Sequence, residues 1–178
     1  VFILCLPTPV DKHKKPDLSI LTNCLKSLNQ IIKNQDTIIL ESTFYPGTTE
    51  NLVTKYINNK NKKINIGYSP ERINPGDKKN TIKNITKVIS ANNNNTLLLM
   101  KKIYGSLNNN NIFVAESIRV AEAAKLIENV QRDLNIGLMN ELTKIFNKSK
   151  ISIHDVLEAS NTKWLSLIHI SEPTRPRI

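Results

Sequence analysis

Short apolar runs alternating with stretches of helical periodicity constrain this chain more than any other feature. The runs are Val1–Leu6, Thr37–Leu40, Ile64–Tyr68, Val88–Ser90 and Ile112–Ala115. Uninterrupted runs of this kind suit strands buried on both faces of a parallel sheet, with helices covering each side. Between the first two, Leu18, Leu21, Leu25, Leu28 and Ile32 recur at helical spacing. Asp17 stands where it can cap that helix, which the pattern carries to about Lys33. Further helices are expected over Thr49–Ile57, after a turn at Pro46-Gly47, and over Thr96–Tyr104. The alternation predicts a parallel α/β sheet with right-handed crossovers. The asparagine runs 92–95 and 108–111 are expected to be surface loops.

The pattern changes at Ser117, a suitable cap for one long helix reaching about Asn147. A shorter helix, capped by Ser152, is expected over Ile153–Ala159. The change puts a domain boundary near residues 115–118. On the long helix, Ala123, Ile127, Val130, Leu134 and Leu138 share a face that should pack against a core. The other face holds Glu122, Glu128 and Arg132, together with Lys125 and Asn129. The last two are spaced i, i+4, so an ammonium and an amide point the same way and can converge on one ligand. The same residues also fit a solvated face laced with pairs such as Glu128–Arg132, each contributing only a few tenths of a kcal/mol. Taken alone, the helix favours the solvated face.

The formal charge of +10, from 25 Lys and Arg against 15 Asp and Glu, raises the question of nucleic acid. The basic residues are scattered lysines, with no aromatic interleaving for base stacking and no arginine cluster for phosphates. Nucleic-acid binding is therefore not expected. Nor is membrane insertion, since no stretch approaches the roughly 20 apolar residues of a span. Cys5 and Cys24 read as reduced core residues of a soluble, cytoplasmic protein. An apolar strand at the first residue, without an initiating methionine, reads as a cut end. Residues 165–178 abandon the lysine and asparagine bias for proline and arginine. They read as a non-native tail, which leaves His169 without a role.

In a doubly wound sheet, ligands bind off the carboxyl ends of the strands. The loops leaving those ends are Leu6-Pro-Thr-Pro9, Glu41-Ser-Thr-Phe-Tyr-Pro-Gly-Thr-Thr49 and Ser69-Pro-Glu-Arg-Ile-Asn-Pro-Gly-Asp77. Their prolines and glycines serve turns in any reading. Glu71 is more informative, because a carboxylate directly after a strand and a rigid Ser-Pro suits acid–base work or a ligand hydroxyl.

With Val120–Leu142, these loops make the chain resemble the UDP-glucose/GDP-mannose dehydrogenase family over roughly residues 1–164. The Asn74-Pro75-Gly76 variant resembles the branch acting on UDP-N-acetylhexosamines. The resemblance implies a partial Rossmann-type parallel sheet followed by a long helix that opens an all-α central domain. Residues 1–115 would be the C-terminal part of the NAD-binding domain, and 116–164 the connecting helix and the start of a dimerisation domain. It further implies NAD-dependent oxidation of a UDP-sugar C6 alcohol to the uronic acid, for polysaccharide synthesis, through a cysteine thioester. Thr8, Pro9, Ser42 and Thr43 would line the nicotinamide half of NAD. Thr43 would help hold the hydrolytic water, Glu71 and Arg72 would lie at the sugar, and Lys125 with Asn129 would stabilise the oxyanion at C6. No metal is implied, and a homodimer through the long helix is.

The departures from the family pattern are specific. Pro75 stands where many relatives carry a second acidic residue. The glycine-rich dinucleotide fingerprint and the glycine-histidine-cysteine motif are absent from the chain, and neither Cys5 nor Cys24 can replace the nucleophile. The chain therefore reads as a catalytically incompetent fragment. The alternatives are a fragment of a β-hydroxyacid or 6-phosphogluconate-type dehydrogenase, which shares a lysine–asparagine helix, and a non-catalytic basic binding module.

Overall fold

The computed structural model describes residues 1–57, 62–73 and 76–162. The 165–178 tail and the Asn74-Pro75 pair lie outside the described residues. The chain divides into two compact units, Val1–Leu126 and Ile127–Ile178.

The first unit runs β1 (Phe2–Leu4), α1 (Ser19–Ile31), β2 (Thr37–Leu40), α2 (Thr48–Tyr56), β3 (Asn65–Tyr68), β4 (Lys87–Ala91), α3 (Asn94–Gly105), β5 (Ile112–Val114) and the first turns of α4 (Ile118–Lys148). Each element lies where the apolar pattern places it, with ends shifted by no more than about two residues. The strands form one sheet in the order β1-β2-β3-β4-β5. Side-chain alternation sorts the core into two layers. Ile38 and Leu40 join Leu21, Leu25, Leu28 and Val53 on the α1–α2 side. Ile39 joins Ile89, Met100 and Tyr104 on the α3 side. Gly67 of β3 lies beneath α3, where a Cβ would collide with the Met100 sulfur.

The sheet is not wholly parallel. β1, β2 and β3 are parallel, but β4 runs antiparallel to β3, and β5 is parallel to β4. A parallel return needs a crossover, usually a helix. The described residues of 69–86 hold only turns and bends, so the chain comes back in the opposite sense. The recorded register pairs Gly67 with Ala91 and Tyr68 with Ser90. Continued along the chain, it sets Lys87 opposite Glu71.

Three local expectations need correction. Asn94 and Asn95, expected in a surface loop, open α3, with Asn93 capping it through the Thr96 N–H, and Asn108 is buried. β1 is an edge strand among the described residues, with Ile3 exposed and Cys5 an exposed free thiol just beyond the strand, so Cys5 is not a core residue. At α1 the N-cap position is Leu18, which makes no side-chain cap. Asp17 instead accepts the Ser19 N–H at 2.9 Å from one residue outside. The other two caps form as expected: Ser117 Oγ accepts the Val120 N–H, and Ser152 Oγ accepts the Asp155 N–H.

The second unit contains the remainder of α4 and α5 (Ile153–Asn161). The expectation that one face of α4 packs on a core fails here. Ile127 is 63% exposed, Leu134 66%, and Val130 and Leu138 about half, while Met139 is buried. An apolar stripe becomes a core only when another layer covers it. The short α5 covers little of this one.

Candidate active site

The carboxyl ends of β1, β2 and β3 share one rim, and the antiparallel β4 brings its amino end to the same place. Backbone pairing continues past the strands, with Glu41 N donating to Leu4 O, Ser69 N to Leu40 O and Glu71 N to Glu41 O. The loops therefore leave the sheet in register, and Glu71 emerges beside Glu41. Ser42 stitches the first two loops together. Its hydroxyl donates to Leu6 O at 2.5 Å and accepts the Leu6 N–H at 3.2 Å. Tyr68 donates its hydroxyl to Ser42 O at 3.0 Å.

Thr8 and Thr43 are half-buried on this rim and Pro9 is exposed. Neither threonine hydroxyl makes a hydrogen bond among the described residues. The Pro9 carbonyl accepts the Asp17 N–H at 2.8 Å, which holds the first loop against the start of α1. Glu71 is half exposed. One of its carboxylate oxygens accepts the Ile73 N–H, and the other lies 4.0 Å from Lys87 Nζ. Arg72 is tied to the residue just before β4 by a 2.9 Å bond from Nη1 to Thr86 O. It lines an open depression of about 380 Å³ with Asp77, Asn80, Ile85 and Thr86.

Beneath this rim lies a charged cluster that the sequence reading missed. Lys87 is only 5% exposed. Its Nζ lies 3.5 Å from Glu41 Oε1, 3.4 Å from Pro70 O and 5.1 Å from the centre of the Tyr104 ring. Tyr104 donates its hydroxyl to Glu41 Oε1 at 2.5 Å, and the Cys5 thiol donates to Glu41 Oε2 at 3.4 Å. Burial, followed by the adjacent Glu41 carboxylate, pushes the Tyr104 hydroxyl up from its ordinary pKa. The same two causes, here the slight burial of an otherwise exposed residue and then the Glu41 carboxylate, raise the Cys5 thiol. Cys5 is thereby kept protonated and is a poor nucleophile. A clue was available, since a lysine heading the otherwise apolar run Val88–Ser90 has to find a partner. Identifying that partner required the antiparallel register.

Glu122 is a second residue whose place the sequence misread. Expected on a solvated face, it is fully buried. One carboxylate oxygen accepts the Gly47 N–H at 2.5 Å and the other accepts the Thr49 N–H at 2.8 Å. These amides open α2. Gly47, the N-cap, has φ 91°, a left-handed conformation that glycine adopts without steric cost. Just after it, Thr48 Oγ1 donates back to Tyr45 O at 2.6 Å, closing the turn. A buried carboxylate at a helix N-terminus gains from both the free amides and the helix dipole.

Lys125 follows Glu122 by one turn of α4 and is half-buried within the first unit. Asn129 lies one turn further on, in the second unit. There its Oδ1 accepts a 2.6 Å bond from Arg132, the arginine that the solvated reading paired with Glu128. α4 is continuous through both positions. Among the described residues, no group of three or more His, Cys, Asp or Glu side chains could hold a metal ion. No helix among them is long and apolar enough to cross a membrane.

Comparison with known proteins adds family-level matches to this geometry. Residues 1–108 match the family model for the NAD binding domain of the UDP-glucose/GDP-mannose dehydrogenase family. Residues 119–174 match the central domain of the same family. The UDP-N-acetyl-D-glucosamine 6-dehydrogenase of Pseudomonas aeruginosa is 46% identical over 92% of this chain and 40% of its own length. Protein CapL of Staphylococcus aureus is also 46% identical, over 91% of this chain and 39% of its own. Among solved structures, the UDP-D-ManNAc dehydrogenase of Pyrococcus horikoshii superposes with a TM-score of 0.82 at 28% identity, covering 95% of this chain and 41% of that one. The chain thus spans about two fifths of these relatives.

Proposed function

The chain belongs to the UDP-glucose/GDP-mannose dehydrogenase family, and we propose that it is the middle portion of an NAD-dependent nucleotide-sugar 6-dehydrogenase. The substrate class we assign is a UDP-N-acetylhexosamine, oxidised at C6 to the uronic acid for polysaccharide synthesis in the cytoplasm. The observation that carries this reading is the 46% identity to a UDP-N-acetyl-D-glucosamine 6-dehydrogenase across 92% of the chain. On the sheet rim, the residues present suit the nicotinamide half of NAD. The half-buried hydroxyls of Thr8 and Thr43 are uncommitted among the described residues, and Pro9 shapes the first loop. Ser42 has spent its hydroxyl on Leu6, so its part would be to shape the cradle. NAD, when bound, accepts the hydride that leaves C6.

The remaining roles belong to this chain's own side chains. Lys125 would meet the negative charge growing on the C6 oxygen, assisted by Asn129. Oriented donors in a water-poor site contribute most where charge develops. Glu71 would serve the sugar hydroxyl or the hydrolytic water, with Thr43 holding that water and Arg72 supporting the sugar. The thioester stage needs a thiolate, and Cys5 is held protonated while Cys24 lies on α1. The 178-residue chain alone is therefore proposed to be inactive, with residues 1–115 and 116–164 as parts of two domains of a longer enzyme.

The test is to follow the reading frame in both directions and assay the complete gene product with NAD and a panel of nucleotide sugars. Converting an alcohol to an acid removes two hydrides per sugar, so NADH should accumulate in that ratio with a UDP-N-acetylhexosamine. No NADH with any nucleotide sugar would remove the proposal. The exposed stripe of Ile127, Val130, Leu134 and Leu138 supports a homodimer formed through α4, because an apolar patch of this kind favours a partner surface. In sedimentation of the complete gene product, Leu134→Asp should shift dimer to monomer. A dimer at unchanged strength would exclude this face.

A further inference from the structure

We infer that Glu122 is a positioning residue, whose buried carboxylate fixes the Lys125-bearing turn of α4 against the loop of residues 41–49. This rests on the function proposed above, and names a residue to which that function gives no part. The segment carries Thr43 and runs through Gly47, whose N–H Glu122 accepts, to Thr49, whose N–H completes the pair of contacts. Both contacts use the side chain as an acceptor only, and both end on backbone rather than on another flexible side chain. No rotamer change in the loop can release them. Lys125 is three residues further along the same helix, within the same compact unit, so the clamp lies one turn from the ammonium it would place. Ile118 and Ala121, buried in the core beside α1 and α2, seat the start of the helix. Those apolar contacts permit sliding, whereas a two-point bond to a helix N-terminus defines a register.

The acceptor-only geometry separates glutamate from its isostere. Glutamine supplies one carbonyl oxygen, but its NH₂ group would face the second backbone N–H, donor against donor. Glu122→Gln keeps side-chain volume and should preserve the fold while loosening one of the two contacts. In the complete gene product, the expected result is a kcat lowered on the order of ten- to a hundred-fold, the scale of a small misplacement of a catalytic group. The affinity for NAD should stay close to wild type, and amide hydrogen exchange at Gly47 or Thr49 should quicken.

A double-mutant cycle separates positioning from general support. If Glu122 acts through Lys125, Glu122→Gln should cost little further rate in a Lys125→Ala background. Fully additive losses would overturn the inference, as would wild-type kcat in the single variant with its amides exposed. Unchanged exchange at both amides would show that the clamp does not form. The last measurement needs no substrate, so an enzyme inactive toward every nucleotide sugar, yet with both amides protected by Glu122, would sink the proposed function while leaving the clamp in place.

Discussion

Replacing Lys125 with alanine in the complete gene product should lower kcat by about a hundred- to a thousand-fold, with NAD affinity little changed. That is the order of loss seen when one preorganised donor is removed from a developing oxyanion. The proposed role draws its support from where Lys125 lies. It is half-buried, on a long continuous helix, one turn beyond a carboxylate anchored on backbone amides. Because the proposed step develops alkoxide charge only on the way to the transition state, kcat and kcat/KM should fall together. Lys125→Arg should recover only part of the loss, since a planar guanidinium cannot occupy the place of a compact ammonium. Steady-state rates at saturating NAD check the point, and an unchanged kcat would return Lys125 to the solvated face of its helix.

Much of the fold was legible because strand and helix periods are local properties of the chain. The Ile38–Leu40 run declares a buried strand by its apolarity alone, and the spacing of Leu21, Leu25 and Leu28 declares the face of α1. The direction of β4 was not legible in this way. It depends on the connection at residues 69–86, and no period in the sequence says whether a turn-rich segment crosses over or doubles back. The charged cluster followed that omission, because Lys87 meets Glu41 only through the antiparallel register. Glu122 was missed for a different reason. A glutamate on a helix ordinarily favours water, and nothing nearby in sequence shows that its partners are amides some seventy residues earlier. The exposed stripe on α4 is the converse case. The sequence marks Ile127, Val130, Leu134 and Leu138 as a face to be covered, but what covers it is not a local property. The rim loops were readable as turns because Pro and Gly follow the apolar runs. Only the structure showed that the Ser42 hydroxyl is spent on Leu6.

The largest stability effect should come from Lys87→Met. The substitution keeps the length of the buried stem and deletes only the charge, leaving Glu41 beneath the rim without its cation. Breaking a buried pair from one side costs about 3–5 kcal/mol, mainly because the remaining charge has lost its compensation. The side chains of Lys87 and Glu41 are 6% and 15% exposed, so little solvent reaches the pair to reduce that penalty. The Tyr104 hydroxyl and Cys5 thiol still donate to Glu41, which favours the lower end of the range. Glu41→Gln alone should cost less, since Lys87 keeps the Pro70 carbonyl, the Tyr104 ring and the nearby Glu71. The double variant Lys87→Met/Glu41→Gln should recover much of the single-variant loss, because an uncharged amide under the rim needs no counter-ion. Denaturant midpoints with matched m-values provide the comparison. A Lys87→Met midpoint equal to wild type would show that the cluster contributes nothing to the fold. Equal costs in the single and double variants would assign the loss to packing around the stem rather than to the stranded charge.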